Sequence, residues 1–318
     1  MMGGVPLAEV VRSGFVEGRH RGSVVVLDAG GVPVAAAGEP GEPIFPRSSN
    51  KPMQAVAMLG AGLELADDAE LALVAASHSG EPFHVDRVRT LLARAGLAED
   101  AMHCPPELPL SESARAEVLR AGGGPARIYM NCSGKHAGML LTCRAAGWPI
   151  DDYVRIEHPL QRACRDAVQE LTGEAVAATG IDGCGAPLFA VSLTGLARAF
   201  LAAVQAAPGA PARRVADAMR AHPEIMSGTG REDARLMRAV PGLLTKSGAE
   251  GVGVAAVPGV GAVAVKIDDG AARARMPVLL AALARLDVVG PGLADLAREP
   301  VLGGGHPVGE VRPIFAIS

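Results

Sequence analysis

GVGVAAVPGVGAVAVKI, residues 251–267, holds two runs of Val, Ala and Gly broken by Pro258, Gly259 and Val260. Short β-branched runs on either side of a Pro-Gly turn read as an antiparallel hairpin. A second segment of this kind lies near the other end of the chain. GSVVVLDAGGVPVAAAG, residues 22–38, sets two strand-like runs around Gly30 and Gly31. Between the hairpins nearly everything carries apolar residues at three- and four-residue spacing, as helices with one buried face do. The spacing predicts helices over about 51–62, 83–96, 111–120, 135–146, 151–171 (interrupted near Pro159), 193–206 and 211–221. One more is expected over 271–286, its start delayed by Pro277, and the tail VRPIFAIS (311–318) returns as a final strand.

Hairpins at both ends of a helical middle point to an α/β (α+β) fold. Its antiparallel sheet is built from the N- and C-terminal segments and flanked by helices, an α+β or three-layer α/β/α arrangement and not a βαβ repeat. We expect a single catalytic unit over 1–318. A sheet lobe would take about 1–46 and 245–318, and a mostly helical lobe about 47–244. The cleft between lobes is the expected place for a small-molecule site.

Composition removes several classes of function. Hydrophobic residues at 49% and charged residues at 20% exclude a disordered or coiled-coil chain. Aromatics are only 3%, so the core must be aliphatic. A net charge of −4, with no basic run carrying interleaved aromatics, argues against a nucleic-acid partner. No apolar stretch is long enough for a membrane span. Residues 1–18 contain Glu9, Arg12 and Glu17 and lack the apolar core of a signal peptide. The five cysteines (Cys104, Cys132, Cys143, Cys164 and Cys184) form no CxxC and do not read as a disulfide framework. A cytoplasmic protein is the expectation.

Of 30 basic residues only four are lysines: Lys51, Lys135, Lys246 and Lys266. Arg keeps its proton at any usable pH, whereas a Lys amine can be tuned to act as a base or a ligand. The four lysines are therefore the first places to look for chemistry. Lys51 lies in FPRSSNKPMQA, residues 45–55, three residues after Ser48. This is the S-x-x-K spacing of penicillin-binding proteins and class A β-lactamases. Three helical residues turn roughly 300°, so both side chains share a face. Ser48 is expected as the helix N-cap, beside amides able to stabilise an oxyanion. Lys51 in the first turn, where the helix dipole repels positive charge, suits a general base.

Such a site also needs a second cation on a facing strand. Lys246-Ser247-Gly248 matches the K-[ST]-G letters but precedes the hairpin, while Lys266 ends a strand and has the better expected position. The residues alone leave both open. Ala76-Ser77-His78-Ser79-Gly80-Glu81-Pro82 is a polar break able to supply another hydroxyl.

YMNCSGKH (129–136) joins an expected short strand to a helix and repeats the three-residue spacing between Cys132 and Lys135. GIDGCGAP (180–187) is a Gly-rich loop presenting Asp182 and Cys184. Two thiolates and a neutral amine can hold zinc with one position open. On spacing alone, buried structural cysteines are the commoner reading. Cys104, Cys143 and Cys164 read as packing residues, and His84 and His158 receive no role. The GKH letters lack the rest of a phosphate loop, which excludes a nucleotide site.

Taken in order, the N-terminal hairpin, FPRSSNKPMQA, ASHSGEP, NCSGKHAGML, GIDGCGAP, KSGAEGVGVAA and VAVKIDDG resemble the bacterial L-asparaginase II family of the inducible rhizobial type. These pieces run from near residue 20 to near 275. The resemblance implies a serine β-lactamase/glutaminase-like fold, a homodimer, and hydrolysis of L-asparagine to L-aspartate and ammonia. It implies two Ser-Lys pairs, Ser48 with Lys51 and Ser77 with Lys266. It further implies zinc held by Cys132, Lys135 and Cys184, with Arg47 on the substrate α-carboxylate and Asp182 on the α-ammonium. Lys246 is left without an assignment. The rival readings are a glutaminase or β-lactamase-like Ser-Lys hydrolase and a noncatalytic, zinc-stabilised amino-acid-binding protein.

Overall fold

Both hairpins form, and they pair with each other. The computed structural model describes residues 3–315. Its strands are β1 (Val5–Arg12), β2 (Phe15–Asp28), β3 (Pro33–Ala37), β4 (Pro43–Ile44), β5 (Ala178–Ile181), β6 (Pro187–Ser192), β7 (Leu244–Ser247), β8 (Val252–Val257), β9 (Gly261–Ile267), β10 (Glu299–Gly303) and β11 (His306–Pro313). The main sheet runs β10-β11-β1-β2-β9-β8-β7, with β3 also on β2, and every pairing is antiparallel. Its centre is the register Val24↔Val265, Val25↔Ala264 and Val26↔Val263. N- and C-terminal segments thus build one sheet, as the two hairpins predicted.

The helices are α1 (Lys51–Gly60), α2 (Asp68–Val74), α3 (Pro82–Arg94), α4 (Glu112–Arg120), α5 (Ser133–Ala146), α6 (Pro159–Thr172), α7 (Leu193–Gln205), α8 (Pro211–Ala221), α9 (Pro223–Met226), α10 (Glu232–Ala239), α11 (Ala272–Leu283) and α12 (Pro291–Ala297). Every residue of β9 is buried, which requires cover on both faces of the sheet. The helices α7 and α11 both pack on β8 and β9. Among the described residues no helix is long and apolar enough to cross a membrane.

Several elements differ from expectation, each for a local reason. The strand β1 and the first half of β2 were not foreseen. In β2, Glu17, Arg19 and Arg21 alternate outward, so no apolar run marks its first half. A second sheet, β4-β6-β5, sits within the helical middle. The strand β6 is PLFAVS, all buried, and its unbroken apolar run, Pro187 to Val191, carries no helix or strand period. The helix expected from 151 starts at Pro159, where His158 caps it by accepting the Leu160 N–H. Pro277 lies inside α11 and does not delay its start. The short strand expected before Asn131 is a 3-10 turn, Arg127–Tyr129. The final strand ends at Pro313, with the Ile314 N–H bonded to the Leu7 carbonyl, and Ala316–Ser318 fall outside the described residues.

One helix contact positions the site. A Cβ on Gly134 would lie 2.7 Å from the Leu73 carbonyl oxygen, and one on Gly138 would lie 2.7 Å from Val74 Cγ2. The two glycines are four residues apart, so they form one bare stripe along α5. The stripe lets α2 approach closely. The first turn of α5 therefore lies beside the segment leaving α2, where the Ser77 backbone continues and the His78 N–H bonds the Asn131 carbonyl at 3.1 Å.

Candidate active site

Residues Arg47–Asn50 form a 3-10 turn that runs directly into α1. The N-cap of α1 is Asn50, not Ser48, and it makes no side-chain cap bond. The correction has a backbone cause: the Ser49 N–H is held by the Pro46 carbonyl and the Lys51 N–H by the Ser48 carbonyl. Those amides are committed to the turn and are not free to hold an oxyanion. Arg47 has φ +52°, a left-handed conformation that costs a non-glycine residue about 1–3 kcal/mol. Such strain persists only where surrounding contacts hold it. Here Arg47 Nε donates to Asp182 Oδ1 at 2.8 Å, and the guanidinium lies 3.7 Å from Glu250.

Lys51 is fully buried. Its Nζ donates to the Ala76 carbonyl at 2.7 Å and to Ser77 Oγ at 2.8 Å. The direct contact of Lys51 is thus with Ser77, although Ser48 is its neighbour in sequence. The Ser48 hydroxyl forms no hydrogen bond among the described residues. Both serines line one cleft of about 520 Å³, together with Asn131, Ser247, Arg231 and Arg275.

The structure does not bring Lys266 to Ser77. Its ammonium donates to the carbonyls of Glu250 and Ile267, at 2.8 and 2.5 Å, at the end of β9. The lysine beside the cleft is Lys246, fully buried on the edge strand β7. Its Nζ lies 3.9 Å from Asp233 and donates to the Ser247 carbonyl at 3.1 Å. Burial pulls its pKa down to about 7 and the nearby Lys51 charge adds to this, against the opposing pull of Asp233. Burial pushes the Asp233 carboxyl up, but Lys246, Arg275 and its bonds from Ser247 hold it below its usual value. The sequence placed Lys246 before the second hairpin with no strand of its own; it lies on β7, the edge strand of the sheet, against the Ser48 turn.

Two contacts fix β7 there. Ser49 Oγ donates to the Lys246 carbonyl at 3.0 Å. A Cβ on Gly248 would lie 2.6 Å from the Pro46 carbonyl and 3.0 Å from Ser49 Oγ, so only glycine permits this approach. Gly248→Ala is expected to push β7 off the turn and lower turnover about 10–100-fold while the protein stays folded. Steady-state kinetics beside a thermal melt check it. Unchanged turnover would mean that the close approach is not needed.

The three expected metal ligands converge. Cys132, Lys135 and Cys184 are all buried, and Lys135 Nζ lies 3.1 Å from Cys184 Sγ. Cys132 begins α5 and Lys135 lies three residues on, so both face the loop between β5 and β6 that carries Cys184. Cys184 is held far below the usual thiol range, first by the Cys132 thiol and then by Lys135 and His136. Cys132 is pushed up, first by the neighbouring Cys184 thiolate and then by burial. Among the described residues no three His, Cys, Asp or Glu side chains form a metal-holding group. A metal here would need the Lys135 amine, and two thiolates with one amine are a donor set that suits zinc. The residues present fit the ion.

Asn131 and Asp233 are further cleft residues that spacing did not single out for a role. Asn131 had one available signal: it is one of only two asparagines in the chain. Cys104, Cys143 and Cys164 are buried, with burial raising each thiol, as packing residues behave.

Against known proteins, a family model described as L-asparaginase II matches residues 8–313. No curated protein matches the chain. Among solved structures, one described as a β-lactamase from Mycobacterium bovis is similar at 16% identity and a TM-score of 0.43, covering 83% of this chain and 94% of that chain. The family match spans both hairpins and every residue of the cleft and the cysteine cluster. The chain belongs to the L-asparaginase II family and is, at that level, an asparaginase-type amide hydrolase.

Proposed function

We propose that this protein hydrolyses L-asparagine to L-aspartate and ammonia through an acyl-enzyme made by a Ser-Lys site. The supporting observation is the buried Lys51 amine, 2.8 Å from Ser77 Oγ, in a cleft that also presents the uncommitted hydroxyl of Ser48. Ser48 attacks the side-chain amide carbon, and its proton passes to the Lys51–Ser77 pair. Asn131, which lines the cleft beside both serines, is suited to stabilise the oxyanion through its side-chain amide. Lys246, with a pKa near 7, is suited to exchange a proton with the departing ammonia and the incoming water. This gives Lys246 the second-lysine role that the resemblance assigned to Lys266.

The Arg47–Asp182 pair offers a positive and a negative group 2.8 Å apart, complementary to the carboxylate and ammonium of a free amino acid. Zinc on Cys132, Lys135 and Cys184 would supply Lewis acidity and order the pocket. We also infer a homodimer, on the family resemblance, and a reducing cytoplasmic setting, on the five unpaired cysteines.

The Lys51–Ser77 hydrogen bond favours a second reading, in which Ser77 attacks and Ser48 assists. Trapping the acyl-enzyme and weighing it by mass spectrometry separates the two. We expect Ser77→Ala to form the adduct slowly and Ser48→Ala to form none; an adduct in Ser48→Ala at the normal rate reverses the assignment. Ammonia release from asparagine is expected to exceed release from glutamine. Binding of asparagine without turnover would overturn the enzymatic reading.

A further inference from the structure

The charged side chains lining the cleft are Arg231, Glu232, Asp233 and Arg275. All but one are spent inside the protein. Arg275 donates to Glu232 at 2.7 Å. Asp233 accepts the backbone N–H and the hydroxyl of Ser247, at 3.0 and 2.8 Å, and faces Lys246. Arg231 is exposed, and its guanidinium meets no carboxylate and no hydrogen-bond acceptor among the described residues. It therefore leaves a planar, permanently charged donor fork open to the cleft that holds Ser48 and Ser77. The chemical partner of such a fork is a carboxylate.

An exposed arginine is ordinarily a loose side chain, but the backbone carrying this one is pinned. Glu81 accepts the Thr229 N–H at 2.9 Å on one carboxylate oxygen and the Thr229 hydroxyl at 2.7 Å on the other. The Ser79 hydroxyl donates to the same carboxylate at 2.8 Å. Gly228 has φ +141°, and a Cβ there would overlap Ser79 Oγ, so only glycine permits this approach. The Ser77 N–H bonds the Met226 carbonyl at 3.0 Å. The Arg231 N–H bonds the Gly228 carbonyl at 3.2 Å, and the Arg231 carbonyl takes the Arg235 N–H at 2.9 Å to start α10. Residues 226–231 are thus zipped against residues 77–81, which fixes the Arg231 backbone relative to Ser77. Arg47 is placed differently. It already pairs with Asp182 and lies 3.7 Å from Glu250, so a substrate carboxylate must compete for it with two carboxylates of the protein. Arg231 presents no such competitor.

We propose that Arg231 is a specificity-determining residue that receives the α-carboxylate of the substrate and so selects free amino-acid amides over amides without that group. The inference rests on the asparagine reading given above and names the part of the substrate that this side of the cleft recognises. The α-carboxylate keeps its charge from bound substrate to transition state. Its contact with Arg231 is therefore uniform binding, which acts on KM and not on kcat.

The test compares wild type with Arg231→Met on three amides. L-Asparagine carries both α-groups, succinamate keeps the carboxylate and lacks the ammonium, and β-alaninamide keeps the ammonium and lacks the carboxylate. In Arg231→Met, KM for asparagine is expected to rise about 10-fold or more with kcat nearly unchanged. Succinamate should lose kcat/KM by the same factor, whereas β-alaninamide should stay within about two-fold of its wild-type value. Arg231→Lys, which keeps the charge and loses the planar fork, should recover part of the loss. Calorimetric binding of L-aspartate should weaken in Arg231→Met by the factor seen in KM, a readout that needs no turnover. Because Arg231 is exposed and has no partner, thermal melts of both variants should match wild type.

Wild-type KM for asparagine and wild-type aspartate binding in Arg231→Met would overturn the proposal and leave the carboxylate to Arg47. An equal loss on all three amides would also overturn it, because Arg231 would then act through the shape of the cleft or through its charge on Lys246. A wild type that binds aspartate but releases no ammonia from asparagine would overturn the hydrolytic reading alone, and aspartate binding by Arg231→Met would still decide the role of Arg231. A wild type that neither binds aspartate nor hydrolyses asparagine would overturn both.

Discussion

Lys51→Arg is expected to abolish amide hydrolysis, with kcat lower by about 10⁴-fold or more, even though the positive charge is kept. The reason is the proton. Lys51 has no solvent exposure, and its amine sits between the Ala76 carbonyl and Ser77 Oγ. A guanidinium in this place cannot be deprotonated, so it cannot serve as a general base, and its planar fork has no space between those two acceptors. Lys51→Met should lose activity to a similar extent while preserving volume, which separates loss of the base from overpacking. Ammonia release, with zinc content measured on the same samples, reads both. A Lys51→Arg enzyme within tenfold of wild type would reduce Lys51 to a fixed charge.

The second large effect separates two lysines. Lys246→Met should lower kcat about 10²–10⁴-fold, whereas Lys266→Met should leave it within a few-fold. Lys246 is buried beside Asp233 and feels the charge of Lys51, while Lys266 is used up on two backbone carbonyls at the end of β9. A pH dependence follows from the same burial. The folded chain releases the Lys246 proton near pH 7, and the unfolded chain near 10.5. Between these values the unfolded state binds more protons, so this lysine makes stability rise with pH across that window. Turnover should likewise rise as pH passes about 7 and the neutral amine accumulates. Lys246→Met should lose both slopes. If Lys266→Met were the inactive variant, the original pairing of Ser77 with Lys266 would be restored.

Much of the site was legible in the chain because its letters are chemically unusual. A sequence that writes 26 Arg and four Lys marks its lysines, and both asparagines fall within the same motifs. Lys51 and Lys135 were marked in this way and Ser48 by its spacing from Lys51, whereas the roles of Ser77 and of the Cys132, Lys135 and Cys184 set came from the family resemblance. Their grouping was less legible. Spacing joined Ser48 to Lys51, yet the 3-10 turn before α1 and the close contact of α2 with α5 bring the Lys51 amine to Ser77.

What the sequence determined by itself was local. The period-two runs around Gly30 and Pro258 specify strands, the periodic middle specifies helices, and rare residue types specify where chemistry lies. The tertiary structure alone decided which of two lysines lies beside the cleft. Lys246 and Lys266 lie on strands of the same sheet, 20 residues apart in the chain. Their fates depend on which edge meets the turn at Ser48. That edge is β7, because Gly248 has no Cβ to hold it away from Pro46, and Ser49 bonds the Lys246 carbonyl across 197 residues of sequence. Contacts of this range follow from how faces pack, and no pattern within either segment records its partner.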